Sequence, residues 1–532
     1  MKRNMLLLAG MLCMGGAGYS QTPYINEDLL SPDLSGSARY VGMGGALGAL
    51  GADMSAVSSN PAGIGLFRKS DVSLTFGVRT QKEKPDVNAD MTQASFDQMG
   101  FVFTTPIMGS TVKFVNFAFN YQKKASFNNA FIADNPNLNG LSQTQQMADL
   151  YNNNLASPLA DLMFSSYLID PVDKDGNIVD GSDDNVAGYV GYDGWNNQFS
   201  RVTEGSLSAF DFNLSTNLSD RVYLGLTVGV DRVDYTSYTT YSEQMQGVDN
   251  VTGSLVPLGM WYSAYDCHSI RGYGINAKFG AIFRPIESSA FRIGVTVETP
   301  TRYDLESAVS YSIDSPYNQD GGIDYDKAGN IQYYNYSPDK ELANLYYTLS
   351  TPWKFRVSAG HTIGNYLALG AEYEYANYTK MRQSYDDGYG SFNGVRDGDM
   401  KDLNKSVFKG VHSFKFGFEL NLIEGLNLRA GYNFYSSAFA KNAHLDQVNA
   451  SPAFNYQTTT DYMNKDQVNI YTVGLGYRFR HFYLDAAYKY RQQTGDFYAF
   501  DDTYSGANGA KLTPVNVDLS NHQVFFTLGY KF

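Results

Sequence analysis

Asn521–Phe532 reads NHQVFFTLGYKF. Val524, Phe526, Leu528, Tyr530 and Phe532 fall on alternate positions, so one face is wholly apolar. A period of two marks a β-strand with unlike faces. A soluble sandwich buries such a face between two sheets, but it does not account for an alternating strand that stops on an aromatic residue. A wall facing lipid on one side and a polar lumen on the other does.

The same alternation recurs upstream. Val72, Leu74, Phe76 and Val78 alternate with Ser73, Thr75, Gly77 and Arg79. Phe414, Phe416, Phe418 and Leu420 alternate with Lys415, Gly417 and Glu419. Runs of this kind predict strands at 70–80, 97–105, 111–121, 206–217, 222–236, 270–284, 290–313, 352–363, 366–379, 410–421, 425–437, 468–480, 482–492 and 521–532. Pro300 interrupts the seventh, which reads as one kinked strand. The connections then alternate between short turns, such as Gly364–Asn365 and the single His481, and long loops, such as 122–205, 237–269 and 380–409. An even strand number with short turns on one rim and long loops on the other is the pattern of outer-membrane barrels. The fold class expected is therefore an all-β membrane protein, a 14-stranded antiparallel outer-membrane β-barrel.

Composition agrees. No apolar run after the first 20 residues approaches the ~20 residues of a membrane-spanning helix. Without such helices, only a closed barrel leaves no strand edge unpaired in lipid. The 42 Tyr and 33 Phe among 532 residues suit a chain with two membrane–water interfaces. Lys2, Arg3 and the apolar Met5–Leu12 read as a signal peptide over 1–20. Its removal takes the formal charge from −14 to −16, because two bases leave. That excess of acid excludes nucleic acid as a partner.

The polar parity should face the lumen. It carries Arg79, Lys278, Arg292, Glu298, Lys354, Arg356, Glu372, Glu374, Lys415, Arg429, Arg478, Asp485 and Lys489. Turning one of those bases to lipid at the midplane costs ~2–4 kcal/mol.

One stretch does not alternate. Ser37–Phe67 reads SARYVGMGGALGALGADMSAVSSNPAGIGLF, small and apolar with only Arg39 and Asp53 charged. Small residues let backbone pack closely in a confined space. We expect a hatch over 21–69 inside a barrel formed by 70–532. In this stretch the chain resembles the FadL/TodX outer-membrane transporters of long-chain fatty acids and other hydrophobic compounds. The resemblance rests on Ser37–Ala46, on Asp53 and the Ser-rich turn before Asn60-Pro61-Ala62-Gly63, and on Thr299–Thr301, Thr351–Phe355 and Glu372–Tyr378. It implies fourteen strands, a movable lumenal hatch, passive uptake of a hydrophobic small molecule and a sideways exit through the wall. Outer-membrane lipid and the barrel-assembly machinery are the other partners implied. The long acidic loops depart from the family and leave the substrate open.

Met43, Leu47, Leu50, Met54, Ile64, Leu66 and Phe67 are apolar hatch residues placed either to line a lumenal pocket or to pack the hatch on the wall. Lys278, Arg356, Lys415 and Arg478 are inward cations for a carboxylate headgroup, or partners of lumenal acids such as Glu372 and Glu419. In 122–205, Leu150, Tyr151, Leu155, Leu159, Leu162, Met163 and Tyr167 recur at helical spacing, with Pro158 predicting a kink or two helices. Eleven acids against four bases give that loop a net charge of −7.

No cofactor, metal or catalytic residue is expected. Asp173, Asp175 and Asn177 are spaced like a calcium loop, but Ile178 stands where glycine belongs. The glycines of 42–51 lack the βαβ unit of a dinucleotide site. The competing functions are a partner-binding barrel of a secretion system and, less favoured, a lipid-acting outer-membrane enzyme.

Overall fold

A computed structural model describes residues 22–532 apart from 84, 88, 156, 182–184, 249–254, 339–343, 386–394, 446–456, 505–506 and 508. The expected signal peptide, 1–20, lies outside the described residues. One sheet of twenty segments closes on itself. Counting each interrupted strand once, its wall strands are β1 (Asp71–Gln81), β2 (Thr92–Pro106), β3 (Val112–Ser126, resumed at Asn129–Ile132), β4 (Gly194–Leu218), β5 (Val222–Val248), β6 (Leu255–Phe283), β7 (Arg292–Glu298 and Arg302–Ser315), β8 (Leu345–Ser350 and Lys354–Ile363), β9 (Leu367–Asn377 and Arg382–Tyr385), β10 (Gly410–Ile423), β11 (Leu426–Tyr435), β12 (Val468–Phe479), β13 (Phe482–Gln492) and β14 (Asn521–Lys531). Each pairs antiparallel with the next, and β14 pairs with β1 from Asn521↔Gln81 to Lys531↔Asp71. The wall is a fourteen-stranded antiparallel barrel.

The apolar parity faces out. Phe76, Phe279, Phe355, Phe416, Leu475 and Phe526 are each half exposed, while Thr75, Lys278, Arg356, Lys415, Arg429 and Thr527 on the other parity are buried. Two sheets stacked face to face would reverse this. The belt has a definite upper margin. On β5 it runs through Leu224, Leu226 and Val228 and gives way to exposed Arg232 and Asp234.

The expected boundaries are correct within the belt and short above it. β4 begins at Gly194, β5 runs on to Val248, and β6 starts at Leu255. Most of the expected loop 237–269 is therefore wall, as are 122–126, 129–132 and 194–205 of the expected loop 122–205. Beyond the belt the outward residues of β5 are Thr236, Tyr238, Thr240 and Ser242, so the chain remains a strand after its hydrophobic period ends. β7 stays one kinked strand, since β6 pairs with both of its halves around Pro300. Aligned breaks follow in β8 at Thr351–Trp353 and in β9 after Asn377.

The helical spacing above the barrel resolves into two helices, α3 (Gln143–Asn152) and α4 (Pro158–Ser165). Pro158 starts the second, where its missing N–H is not needed. Leu150, Leu159, Leu162 and Met163 pack with Phe199, Tyr241, Tyr262 and Phe500 in a cap over the outer mouth. Before the wall come α1 (Pro23–Leu30) and α2 (Ala38–Gly42), and most of Thr22–Phe67 is buried, much of it against inward-facing residues of the wall.

Candidate functional site

The segment 42–51 fits where the wall has no side chains. Gly360, Gly370, Gly417 and Gly431 stand directly opposite one another across β8, β9, β10 and β11. A Cβ on Gly417 would lie 2.0 Å from Met43 O, and one on Gly370 2.0 Å from Ala46 O. Backbone therefore lies on backbone, as the small residues of 42–51 require. Asn60 begins the short helix Pro61–Leu66: its Oδ1 accepts from Ala62 N at 3.0 Å and its Nδ2 donates to Ala281 O at 3.3 Å on β6. Asn213 Nδ2 donates to Pro61 O at 3.2 Å, and Asn116 Nδ2 to Ile64 O at 2.7 Å. Ala52 N donates to Gly63 O at 3.1 Å, closing the motif on the hatch itself.

Ion pairs complete the attachment. Arg39 Nε meets Glu419 at 3.0 Å, Glu419 meets Arg429 at 2.6 Å, and Arg429 meets Asp485 at 2.5 Å. Asp33 meets Lys489 at 2.7 Å. Lys465, at the end of the short strand Tyr462–Lys465 before β12, pairs with Glu27 at 2.8 Å and also with Asp28. Burial pushes the Asp33 carboxyl up, but Lys489 and Arg491 outweigh it and hold it below the ordinary aspartate range. Burial prevails at Asp53, whose carboxyl is raised although it lies beside Arg39 and accepts from Ser37 Oγ at 2.8 Å.

The seven apolar hatch residues are gathered in contacts with the wall and with one another. Met43, Leu47 and Leu50 pack with Tyr435, Ile470 and Phe525. Met54, Ile64 and Phe67 pack with Val102 and Ala118, and Leu66 lies against Tyr223 and Ile282. Three of the four inward cations are paired: Lys278 with Asp211 at 3.0 Å, Arg356 with Glu298 at 2.8 Å, and Lys415 with Glu372 at 2.7 Å. Arg478 is exposed at the short-turn rim.

A cavity of about 140 Å³ lies elsewhere, between α1 and the wall beneath the cap. Tyr24, Phe127, Phe131, Tyr235 and Tyr462 give it aromatic sides, and Arg79 and Arg491 reach into it. Arg491 Nη2 donates to Gln493 Oε1 at 2.7 Å, and Arg79 donates to Asn128 O. Nε of each is buried with no partner among the described residues. An unpaired buried donor costs about 1–3 kcal/mol. Sequence reasoning placed Arg79 inward and did not single out Arg491. The signal available was parity: Arg491 lies two residues beyond inward Lys489.

The cavity abuts a gap in the wall. β2 and β3 pair only as far as Gln98↔Gln122. Above that, Thr92–Asp97 pairs with β1 alone, and the resumed part of β3 pairs with β4. Side chains bridge the space. Asn128 donates to Gln93, and Gln81 exchanges two hydrogen bonds with the Ala130 backbone at 2.6 and 2.9 Å. A second small cavity in this gap shares Arg79, Asn129 and Thr203 with the first.

The Asp173 turn is self-contained. Asp173 Oδ1 accepts from Asp175 N and Asn177 N at 2.9 Å each. The same turn recurs at Asn318 and Asp326. Among the described residues no cluster of His, Cys, Asp and Glu has metal-binding geometry.

No family model matches the chain, and no curated protein sequence does. Solved structures do. A Pseudomonas aeruginosa FadL homologue matches 94% of this chain and 99% of its own at 13% identity, with a TM-score of 0.50. The Ralstonia pickettii toluene transporter TbuX and the P. putida toluene transporter TodX match 94% of this chain and 98% and 99% of theirs, at 12% and 11% identity and TM-scores of 0.46 and 0.47. With the closed fourteen-strand wall and its occupied bore already in view, the first of these likenesses gives the chain the fold of the FadL-type outer-membrane barrels.

Proposed function

We propose that this protein carries hydrophobic compounds inward across the outer membrane, with long-chain fatty acids as the favoured class. The observation that carries the reading is the aromatic cavity with two incompletely paired arginines, set against a side-chain-bridged gap in the wall. The acyl chain lies along Tyr24, Phe127 and Tyr235, and the carboxylate lies against the guanidiniums of Arg79 and Arg491. Each methylene removed from water contributes about 0.8 kcal/mol. Release then needs a way out that does not return the chain to water.

The gap between β2 and β3 supplies one. It opens beside the outward faces of Val78 and Phe96, at the upper margin of the apolar belt. Breaking the Gln81–Ala130, Asn128–Gln93 and Arg79–Asn128 contacts frees it without unpairing a strand. Ligand on Arg79 competes directly with Asn128 O. Displacement of the hatch is the other motion in this reading, and its ion pairs to Glu419, Lys489 and Lys465 are the contacts it breaks. The fold neighbour named as a FadL homologue supports the reading.

The test is binding of a fluorescent long-chain fatty acid to the purified full chain. Saturable binding is expected. Arg79→Ala with Arg491→Ala should weaken it at least tenfold, the equivalent of about 1.4 kcal/mol. Equal binding by the double variant overturns the headgroup site, and no saturable binding by the wild type overturns the substrate class.

A further inference from the structure

The cavity under the cap has a second polar end. Arg79 and Arg491 stand at one side of it, and Asp266 and His268 of β6 stand at another. Strand register separates the two. Asn129 pairs with Thr203, Thr203 with Ser237 and Ser237 with His268, one residue on each of β3 to β6, and all four line the cavity. Arg79 donates to Asn128 O at the start of that row. Three strand spacings put the two ends about 14 Å apart along the wall.

Asp266 and His268 are two residues apart and so share the inward face of their strand. Both lie beyond exposed Arg271, above the apolar belt. Asp266 is 6% exposed and His268 3%. Asp266 Oδ2 accepts from Thr458 Oγ1 at 2.6 Å, and His268 Nε2 and Ser307 Oγ share a hydrogen bond of 2.8 Å. Asp266 Oδ1 and His268 Nδ1 have no partner among the described residues. Unlike Nε of the two arginines, neither atom is sealed from the cavity. Arg201, the base whose field reaches Asp266, is held by Asp461 at 2.8 Å. Burial accordingly pushes the Asp266 carboxyl up to about 7 and the His268 imidazole down to about 3. This end is a donor–acceptor pair of little charge, facing two guanidiniums across an aromatic space.

We propose that this end selects hydrophobic acids that carry a hydroxyl at the chain end remote from the carboxylate. The inference rests on the proposed uptake function and narrows its substrate. The carboxylate lies against Arg79 and Arg491, the methylenes along the aromatic sides, and the hydroxyl between Asp266 Oδ1 and His268 Nδ1. A hydroxyl is the matching group because it both donates and accepts. It accepts from a protonated carboxyl while donating to the imidazole, or donates to an ionised carboxyl while accepting from the imidazole. A methyl end would leave both buried polar groups without partners, at the cost that attends each such group.

The experiment measures displacement of a fluorescent long-chain fatty acid from the purified full chain by dodecanoic acid and by ω-hydroxydodecanoic acid, each corrected for its partition into protein-free micelles. The ω-hydroxy acid is expected to bind about tenfold more tightly, the scale of one or two hydrogen bonds. α-Hydroxydodecanoic acid should show no gain, because its hydroxyl lies beside the carboxylate. Asp266→Leu and His268→Leu should each bring the two acids within about twofold of one another. Asp266→Asn, which keeps a donor and an acceptor, should retain most of the preference. Heat-modifiable gel migration reports barrel closure for each variant. Equal binding of the two acids by the wild type overturns this proposal and leaves the uptake function standing, whereas displacement by neither overturns both. A preference that survives both leucine variants overturns the proposal, as does tighter binding of ω-aminododecanoic acid, which would assign Asp266 to a cation.

Discussion

Gln81 takes the place of a neighbouring strand for Ala130. Its Nε2 donates to Ala130 O at 2.6 Å and its Oε1 accepts from Ala130 N at 2.9 Å, so a β1 side chain satisfies a β3 backbone across the gap that β2 leaves. Gln81→Ala removes both bonds. At about 0.5–1.5 kcal/mol each, the local cost is about 1–3 kcal/mol, borne by the gap and not by the barrel. Amide exchange of 128–132 should quicken while that of β10–β13 is unchanged. Uniform quickening would show that the bridge holds the whole wall.

Glu419 stands between Arg39 of the hatch and Arg429 of the wall. Glu419→Gln leaves two buried guanidiniums with one acid fewer. Breaking a buried pair in this way costs about 3–5 kcal/mol. The hatch should become protease-sensitive between residues 37 and 67 while the barrel still migrates as folded. A hatch as resistant as the wild type would mean that glycine-row packing alone retains it.

Asp33 carries a pH dependence of known sign. Its folded pKa lies below the unfolded one, so its pairing with Lys489 stabilises above the ordinary aspartate pKa of ~3.9 and is lost as pH falls through the folded value. Asp33→Asn should lower hatch stability at neutral pH and flatten its decline on acidification. An unchanged acid limb in thermal melts would assign that decline to other carboxylates.

Gly417 has no room for a side chain, because a Cβ would meet Met43 O at 2.0 Å. Gly417→Val should expel the 43–50 turn without unfolding the wall, since valine favours strands. Conductance across planar bilayers should rise from near closed to a steady open level. A closed variant would mean that the cap, and not the hatch, seals the bore.

Lys278, Arg356 and Lys415 each have an acid within 3.0 Å. Lys415→Met with Glu372→Leu removes a buried pair as a unit and should leave fatty-acid binding within about twofold, because such exchanges are often neutral. A tenfold loss would return the headgroup to these cations.

The sequence alone determined the wall. Strand number and face parity follow from one local rule, because lipid outside and lumen inside impose a period of two on every crossing. The small residues of 37–67 announce close backbone packing. The rule ended where the lipid ends: Thr236, Thr240 and Ser242 continue β5 without an apolar face, so the outer strands read as loops. Only the tertiary structure decided which charges are satisfied. Lys278 and Arg79 look alike in sequence, yet Asp211 takes one as an ion pair and the other meets the backbone of Asn128, because partners 67 and 49 residues away are set by strand register and not by neighbours in the chain.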